Sequence, residues 1–166
     1  GLDELASLLG RAHETTRHIA RELNPPMLEQ LGFSGACAWL AKNVADRLGL
    51  TLEWSGPPED TACPPTVAVA AYRVLQEALT NVGKHAAASK VRVALAITAG
   101  EIELTVTDDG RGLPESRDGR GLGLVGMEQR AIGLGGSLVA ERAEGKGTRV
   151  SLRLPLAGPA AAGARA

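Results

Sequence analysis

The stretch Lys90-Val91-Arg92-Val93-Ala94-Leu95-Ala96-Ile97-Thr98-Ala99-Gly100-Glu101-Ile102-Glu103-Leu104-Thr105-Val106-Thr107-Asp108-Asp109-Gly110-Arg111-Gly112 organises the whole chain. Val91, Val93, Leu95 and Ile97 alternate with small or polar residues, and Ile102, Leu104 and Val106 do the same. Successive side chains of a strand point to opposite faces, so each run reads as a strand buried on one face. The spacing predicts strands over 90–97 and 101–107, joined by a tight turn at Ala99 and Gly100. A polar, glycine-rich segment over 108–123 then leaves the second strand.

Upstream, Val67, Ala71, Val74, Leu75, Ala78, Leu79 and Val82 recur at helical spacing, so a helix is expected from about 66 into the 80s. Before it, a helix is expected over 34–48, with Ser34 as N-cap and Gly49 as stop, followed by a short strand over 51–54. Gly56, Pro57 and Pro58 break that strand. The first segment carries Leu2, Leu5, Leu9, Ala12, Thr16, Ile19 and Leu23 on one stripe, and Pro25 and Pro26 are expected to end its helix. Its natural use is contact with another helix or another copy. Downstream, a helix over 124–134 precedes a closing hairpin of strands over 137–141 and 148–154, with its turn at 144–147. The expected organisation is 1–30 as a leading helix and exit segment, 31–156 as the main domain, and 157–166 as a disordered Ala-, Gly-, Pro- and Arg-rich tail. The fold class is α+β: a two-layer α/β sandwich, its sheet mixed and mostly antiparallel, with helices on one face.

The 166 residues are 44% hydrophobic and 22% charged, enough for one sizeable core. Aromatics make up only 2%, so the core must be built from Leu, Val, Ile and Ala. The net charge of −1 offers no overall basic excess, which argues against a nucleic-acid partner. No stretch reaches the ~20 apolar residues of a membrane span. Cys37 and Cys63 lie far apart in sequence, without metal-ligand spacing, as suits a reducing compartment and no structural zinc. A cytoplasmic location is expected, with a membrane-anchored parent protein compatible with it.

Three clusters carry chemistry. Gln76, Glu77, Asn81, Lys84 and His85 lie on the helix face away from the apolar stripe. A carboxamide oxygen is a hard donor suited to Mg²⁺, and a lysine complements phosphate. Taken alone, the cluster also fits a solvated helix face. Gly83 in the same helix costs about 1 kcal/mol relative to Ala, so it marks either the close approach of a ligand or loop, or fraying. The second cluster, Asp108-Asp109-Gly110-Arg111-Gly112, puts a carboxylate at a strand end, where it can accept from an exocyclic amine. Its glycines permit close backbone approach. A plain polar turn is the alternative. The third, Gly119-Arg120-Gly121-Leu122-Gly123-Leu124, opens a helix whose leading amides and dipole favour an anion. It contains Gly121-x-Gly123-x-x-Gly126, but no strand directly precedes it, which counts against a Rossmann dinucleotide site.

The order of these clusters is more specific than any one of them. An Asn-bearing helix, two strands, Asp-x-Gly-x-Gly, Gly-x-Gly-Leu-Gly-Leu, and Gly145-x-Gly147-Thr148 before a last strand resemble the N-box and glycine boxes of one ATPase superfamily. That superfamily is shared by histidine kinases, DNA gyrase, a heat-shock chaperone and mismatch-repair proteins. The run Tyr72-Arg73-Val74-Leu75-Gln76-Glu77-Ala78-Leu79-Thr80-Asn81-Val82-Gly83-Lys84-His85-Ala86 resembles the N-box of nitrate-sensor-type histidine kinases. Leu23-Asn24-Pro25-Pro26-Met27-Leu28-Glu29-Gln30-Leu31-Gly32 is similar to the segment leaving their dimerisation helices.

The resemblance implies the Bergerat-type ATP-binding fold, with ATP and Mg²⁺ held between the N-box helix, the glycine boxes and a mobile lid over 113–120. It implies that Asn81 binds Mg²⁺, that Glu77 lines the same face and orients water, and that Lys84 and His85 lie at the nucleotide. Asp108 would accept from adenine N6, with Gly110 and Gly112 shaping the base pocket. Gly119, Gly121, Leu122 and Gly123 would meet the phosphates, and Thr148 would bond near the adenine. The implied reaction is transfer of the ATP γ-phosphoryl group to a histidine and then to a response-regulator receiver domain, in a homodimer formed through dimerisation and phosphoacceptor helices. No His-Asp acceptor pattern is present; His13 and His18 fall in what reads as the second dimerisation helix. A chain without the acceptor helix is expected to bind ATP without phosphorylating itself; degeneration of the kinase is the other route to that loss. Two alternatives remain: an ATP hydrolase of the same superfamily, with Glu77 activating water, and an interaction module with a vestigial pocket.

Overall fold

A computed structural model describes residues 25–58, 61–114 and 121–157. The expected leading helix with His13 and His18, residues 115–120 of the expected lid with Gly119, and the tail from 158 onward lie outside the described residues.

The elements run α1 (Pro26–Leu48), β1 (Thr51–Ser55), α2 (Pro65–Asn81), a π-helical turn (Val82–Ala86), β2 (Lys90–Ile97), β3 (Glu101–Asp108), α3 (Leu122–Gly133), β4 (Ser137–Arg142) and β5 (Thr148–Pro155). The sheet order is β1-β2-β3-β5-β4. β1 pairs parallel with β2, and the other three pairings are antiparallel. A parallel pair needs a crossover, and α2 supplies it between β1 and β2. The helices pack on one face of the sheet, giving the expected two layers.

Alternation decides which strand residues enter the core. Val91, Val93 and Leu95 of β2, Ile102, Leu104 and Val106 of β3, and Val150, Leu152 and Leu154 of β5 are all buried. Against them α2 lays Val67, Ala71, Val74, Leu75, Ala78 and Leu79, and α1 adds Phe33, Cys37, Leu40 and Val44. Each fully buried Leu or Val contributes about 1.5–3 kcal/mol, so α2 is held chiefly by its apolar stripe. Burial also pushes the thiol of Cys37 up, and that of Cys63 to about 11, so both free cysteines stay neutral.

Several boundaries differ from the sequence reading. Helix α1 begins at Pro26, because proline at the first helical position forfeits only an amide that has no acceptor anyway. At Gly32, whose φ of 68° and ψ of 177° are non-helical, two helices run together, so the longer one begins close to the expected start at Ser34 and the expected division at residue 30/31 lies just before the break. Ser34 is not an N-cap; it is buried, and its hydroxyl donates to the Pro57 carbonyl at 2.7 Å. The α-helical part of α2 stops at Asn81, where the chain widens into the π turn and leaves it through Ala87 at φ 49°. Strand β3 keeps Asp108 in register with Val91, and α3 starts at Leu122, two residues before the expected position.

Candidate functional site

The extension of β3 by one residue decides the site. In β3 the even-numbered residues face the helices, so Asp108 follows Ile102, Leu104 and Val106 onto the core face. Ser34 and Asp108 are the buried polar side chains among the described residues. Ser34 has its carbonyl partner. Asp108 has two backbone donors, Gly110 N–H at 2.8 Å and Thr148 N–H at 3.3 Å, and both reach Oδ1. No salt bridge to Asp108 forms among the described residues. Burial raises its carboxyl above the usual aspartate range; the Gly110 and Thr148 amides pull the other way, and the neighbouring Asp109 charge adds to the rise. A buried carboxylate without a cation is costly and is the kind of group that binding sites retain.

Asp108 faces a cavity of about 550 Å³. That volume lies within the roughly 300–1,000 Å³ typical of small-molecule sites. Its floor is apolar: Ala78, Val82, Val106 and Val150. Asn81 lines it from the end of α2, His85 from the π turn, and Gly112, Leu113 and Pro114 from the loop after β3. Gly121, Gly123 and Leu124 line it from the start of α3, and Thr148 from β5. Gly121 is the N-cap residue of α3, so the leading amides of that helix lie at the cavity. An α-helix leaves those amides without intrahelical acceptors, and its dipole places partial positive charge there.

The glycines are placed by contact rather than by chance. A Cβ on Gly110 would overlap the Ala86 carbonyl, and one on Gly147, which has φ of 100°, would overlap the Asp108 carbonyl. Both neighbours are backbone and cannot step aside. The loop after β3 is thus pressed between the π turn and the β4–β5 turn, which holds Asp108 at the cavity wall. Gly83 is explained differently from either sequence expectation: a Cβ there would come 2.9 Å from Leu48 Cδ1, so this glycine accommodates α1.

Of the residues named from sequence, Asn81, His85, Asp108, Gly112, Gly121, Gly123 and Thr148 meet at one cavity. Glu77 lies beside them without lining it: a Cβ on Gly123 would overlap the Glu77 carboxylate. Gly110 shapes the wall from behind, while Lys84 and Leu122 are exposed and outside the lining. Sequence reading placed Arg111 in the second cluster without a role and missed Arg142. Arg111 N–H donates to the Ala86 carbonyl at 2.8 Å, and its Nε donates to the His85 carbonyl. Arg142 Nη2 donates to the Leu113 carbonyl at 3.4 Å. Nothing in the pattern around Arg142 announces this; Val106 and Val150, by contrast, could have been found from the alternation that places them beside Asp108 and Thr148.

Residues 66–158 match the family of histidine kinase-, DNA gyrase B-, and HSP90-like ATPases. The chain belongs to that family. Among curated relatives, the sensor histidine kinase LiaS of Bacillus subtilis is 32% identical over 150 residues, covering 90% of this chain and 41% of that protein. The sensor histidine kinase MctS of Rhizobium johnstonii is 32% identical over 158 residues, covering 93% of this chain and 34% of that protein. Among solved structures, a blue-light activated histidine kinase of Erythrobacter litoralis superposes with a TM-score of 0.70 at 25% identity, over 86% of this chain and 50% of that one. The chain therefore spans well under half the length of the curated relatives it matches. As a member of this ATPase family with sensor-kinase relatives, it is an ATP-binding catalytic domain of the histidine kinase type. No helix among the described residues is long and apolar enough to cross a membrane.

Proposed function

We propose that this domain binds ATP with Mg²⁺ in the Asp108 cavity, and that within a longer sensor kinase it serves transfer of the γ-phosphoryl group to a histidine and onward to a response-regulator receiver domain. The observation that carries the reading is Asp108: a buried carboxylate whose backbone donors both fall on Oδ1, set at the wall of an apolar slot. In this reading its other oxygen accepts from the adenine amine while Val106 and Val150 pack on the ring. Asn81 supplies a hard oxygen to Mg²⁺, and the metal would neutralise phosphate charge. The α3 amides from Gly121 to Gly123 receive phosphate oxygens, with Gly119 ahead of them. His85 lies along the same wall. Lys84 reaches phosphate only by extending from its exposed position.

Phosphoryl transfer asks mainly for positioning and charge neutralisation, and a cradle of this kind supplies the nucleotide side. The accepting histidine and the dimer are features of the longer parent, reached through its dimerisation and phosphoacceptor helices. The run from Tyr72 to Ala86 supports a parent of the nitrate-sensor type. The hydrolase alternative rests on Glu77, four residues before Asn81 and beside Gly123.

Calorimetric titration with a non-hydrolysable ATP analogue, with and without Mg²⁺ and in parallel with GTP, tests the proposal. Adenine-selective binding in the micromolar range, tightened by Mg²⁺, is expected. Absence of binding at millimolar analogue would leave the domain as an interaction module.

A further inference from the structure

Asp109 lies outside the cavity, yet it is bonded more fully than its exposure would suggest. Its Oδ1 accepts the Ser89 N–H at 2.8 Å and the Lys90 N–H at 2.9 Å, and its own N–H donates to the Lys90 carbonyl at 3.3 Å. The amides of Lys90 and Ser89 hold its carboxyl below the usual aspartate range. Ser89 and Lys90 are where the chain enters β2 after leaving the π turn through Ala87. On the other side, a Cβ on Gly147 would stand 3.0 Å from Asp109 Cα, so the β4–β5 turn rests on the same residue. The next two residues continue the attachment: Gly110 presses on Ala86, and Arg111 bonds the carbonyls of His85 and Ala86.

We propose that Asp109 is a positioning residue for nucleotide binding: by gripping the Ser89 and Lys90 amides it fixes the exit of the N-box helix against the base-reading strand, and so sets Asn81 and His85 relative to Asp108. The chain between the two walls of the cavity runs through the π turn and the left-handed Ala87, a widened segment whose geometry no regular ladder enforces. Asp109 supplies the missing constraint from the strand side. The inference rests on the nucleotide reading of the same cavity and adds a residue that does not touch the ligand.

The test compares three variants by calorimetry with an ATP analogue and Mg²⁺, at a temperature where each is folded by circular dichroism. Asp109→Asn keeps an acceptor in the same place and loses the charge. Asp109→Ala loses both, and Asp109→Glu keeps the charge but displaces the acceptor by one methylene. Losing a positioning bond of this kind should weaken binding about tenfold in Asp109→Ala and Asp109→Glu, while Asp109→Asn stays within about twofold of the parent. If Asp109→Ala does not fold, Asp109→Glu against Asp109→Asn gives the same decision. Parental affinity in the Ala or Glu variant, or a loss in Asp109→Asn equal to theirs, would overturn the positioning role while leaving the nucleotide site intact. No binding by the parent would instead overturn the nucleotide reading, and this inference with it.

Discussion

At the scale of single residues, Asp108 makes two separable predictions. A hydrogen bond to a charged group is worth about 1.5–3 kcal/mol, so Asp108→Asn should weaken ATP roughly ten- to hundredfold. Unchanged affinity by calorimetry would remove Asp108 from the base pocket. The second concerns stability. Burial sets the folded carboxyl above its unfolded value. Such a group adds stability below the ordinary aspartate range, and that contribution is lost as pH rises through the raised value. The ligand-free Asp108→Asn domain should thus melt at or above the parent's temperature at pH 7, with the advantage shrinking in acid. A lower midpoint at pH 7 would show that the carboxylate is structural. The same raised value means that ATP affinity should begin to fall with acidification before ordinary aspartates titrate. For Asn81, the metal role predicts that Asn81→Ala weakens nucleotide only when Mg²⁺ is present; equal weakening in chelator would contradict it.

Among the elements, the π turn and the loop after β3 form one joint, and their glycines should respond differently to alanine. A methyl at Gly110 meets the fixed Ala86 carbonyl. Overpacking against backbone costs about 1–3 kcal/mol or more, so Gly110→Ala should lower stability by at least that and reduce ATP affinity with it. A methyl at Gly83 meets only the end of the half-exposed Leu48 side chain. Leu48 can turn aside, and alanine recovers up to about 1 kcal/mol of helix propensity, so Gly83→Ala should change stability by less than about 1 kcal/mol. Denaturant unfolding ranks the two, and a Gly83→Ala penalty as large as that of Gly110→Ala would mean that the π turn itself requires glycine. The elements were largely legible beforehand. Period-two runs gave β2 and β3, and the apolar stripe from Val67 to Val82 gave α2. The ends were less so, because Pro26 starts a helix as readily as it ends one, and because nothing local distinguishes Asp108 as a strand residue from Asp108 as a turn residue.

For the whole molecule, a ligand that binds only the folded state stabilises it by mass action. ATP analogue with Mg²⁺ at a hundred times its Kd should add about 2.7 kcal/mol and raise the melting midpoint by roughly 5–15 °C. GTP at the same concentration should give much less. A flat response to ATP would agree with an absent or vestigial site. Turnover separates the remaining chemistries: a steady hydrolysis rate that collapses in Glu77→Gln favours the hydrolase, whereas a rate indistinguishable from buffer leaves the kinase reading.

The sequence alone determined the two-layer α+β class, the principal strands and helices, and the residue types of the site, because periodicity and glycine-box order are local properties of a chain. It named Asn81, His85, Asp108, Gly112, Gly121, Gly123 and Thr148, which meet at one cavity although they come from separate elements. Only the tertiary structure decided which neighbours take part. The widened turn after Asn81 brings His85 to the cavity and leaves Lys84 outside its lining. Arg111 and Arg142 enter through contacts with backbone carbonyls distant in sequence, and Asp109 through amides at the start of another strand. Such bonds depend on where two separately specified segments come to rest against each other, and that is fixed by packing of the shared core rather than by any pattern within either segment.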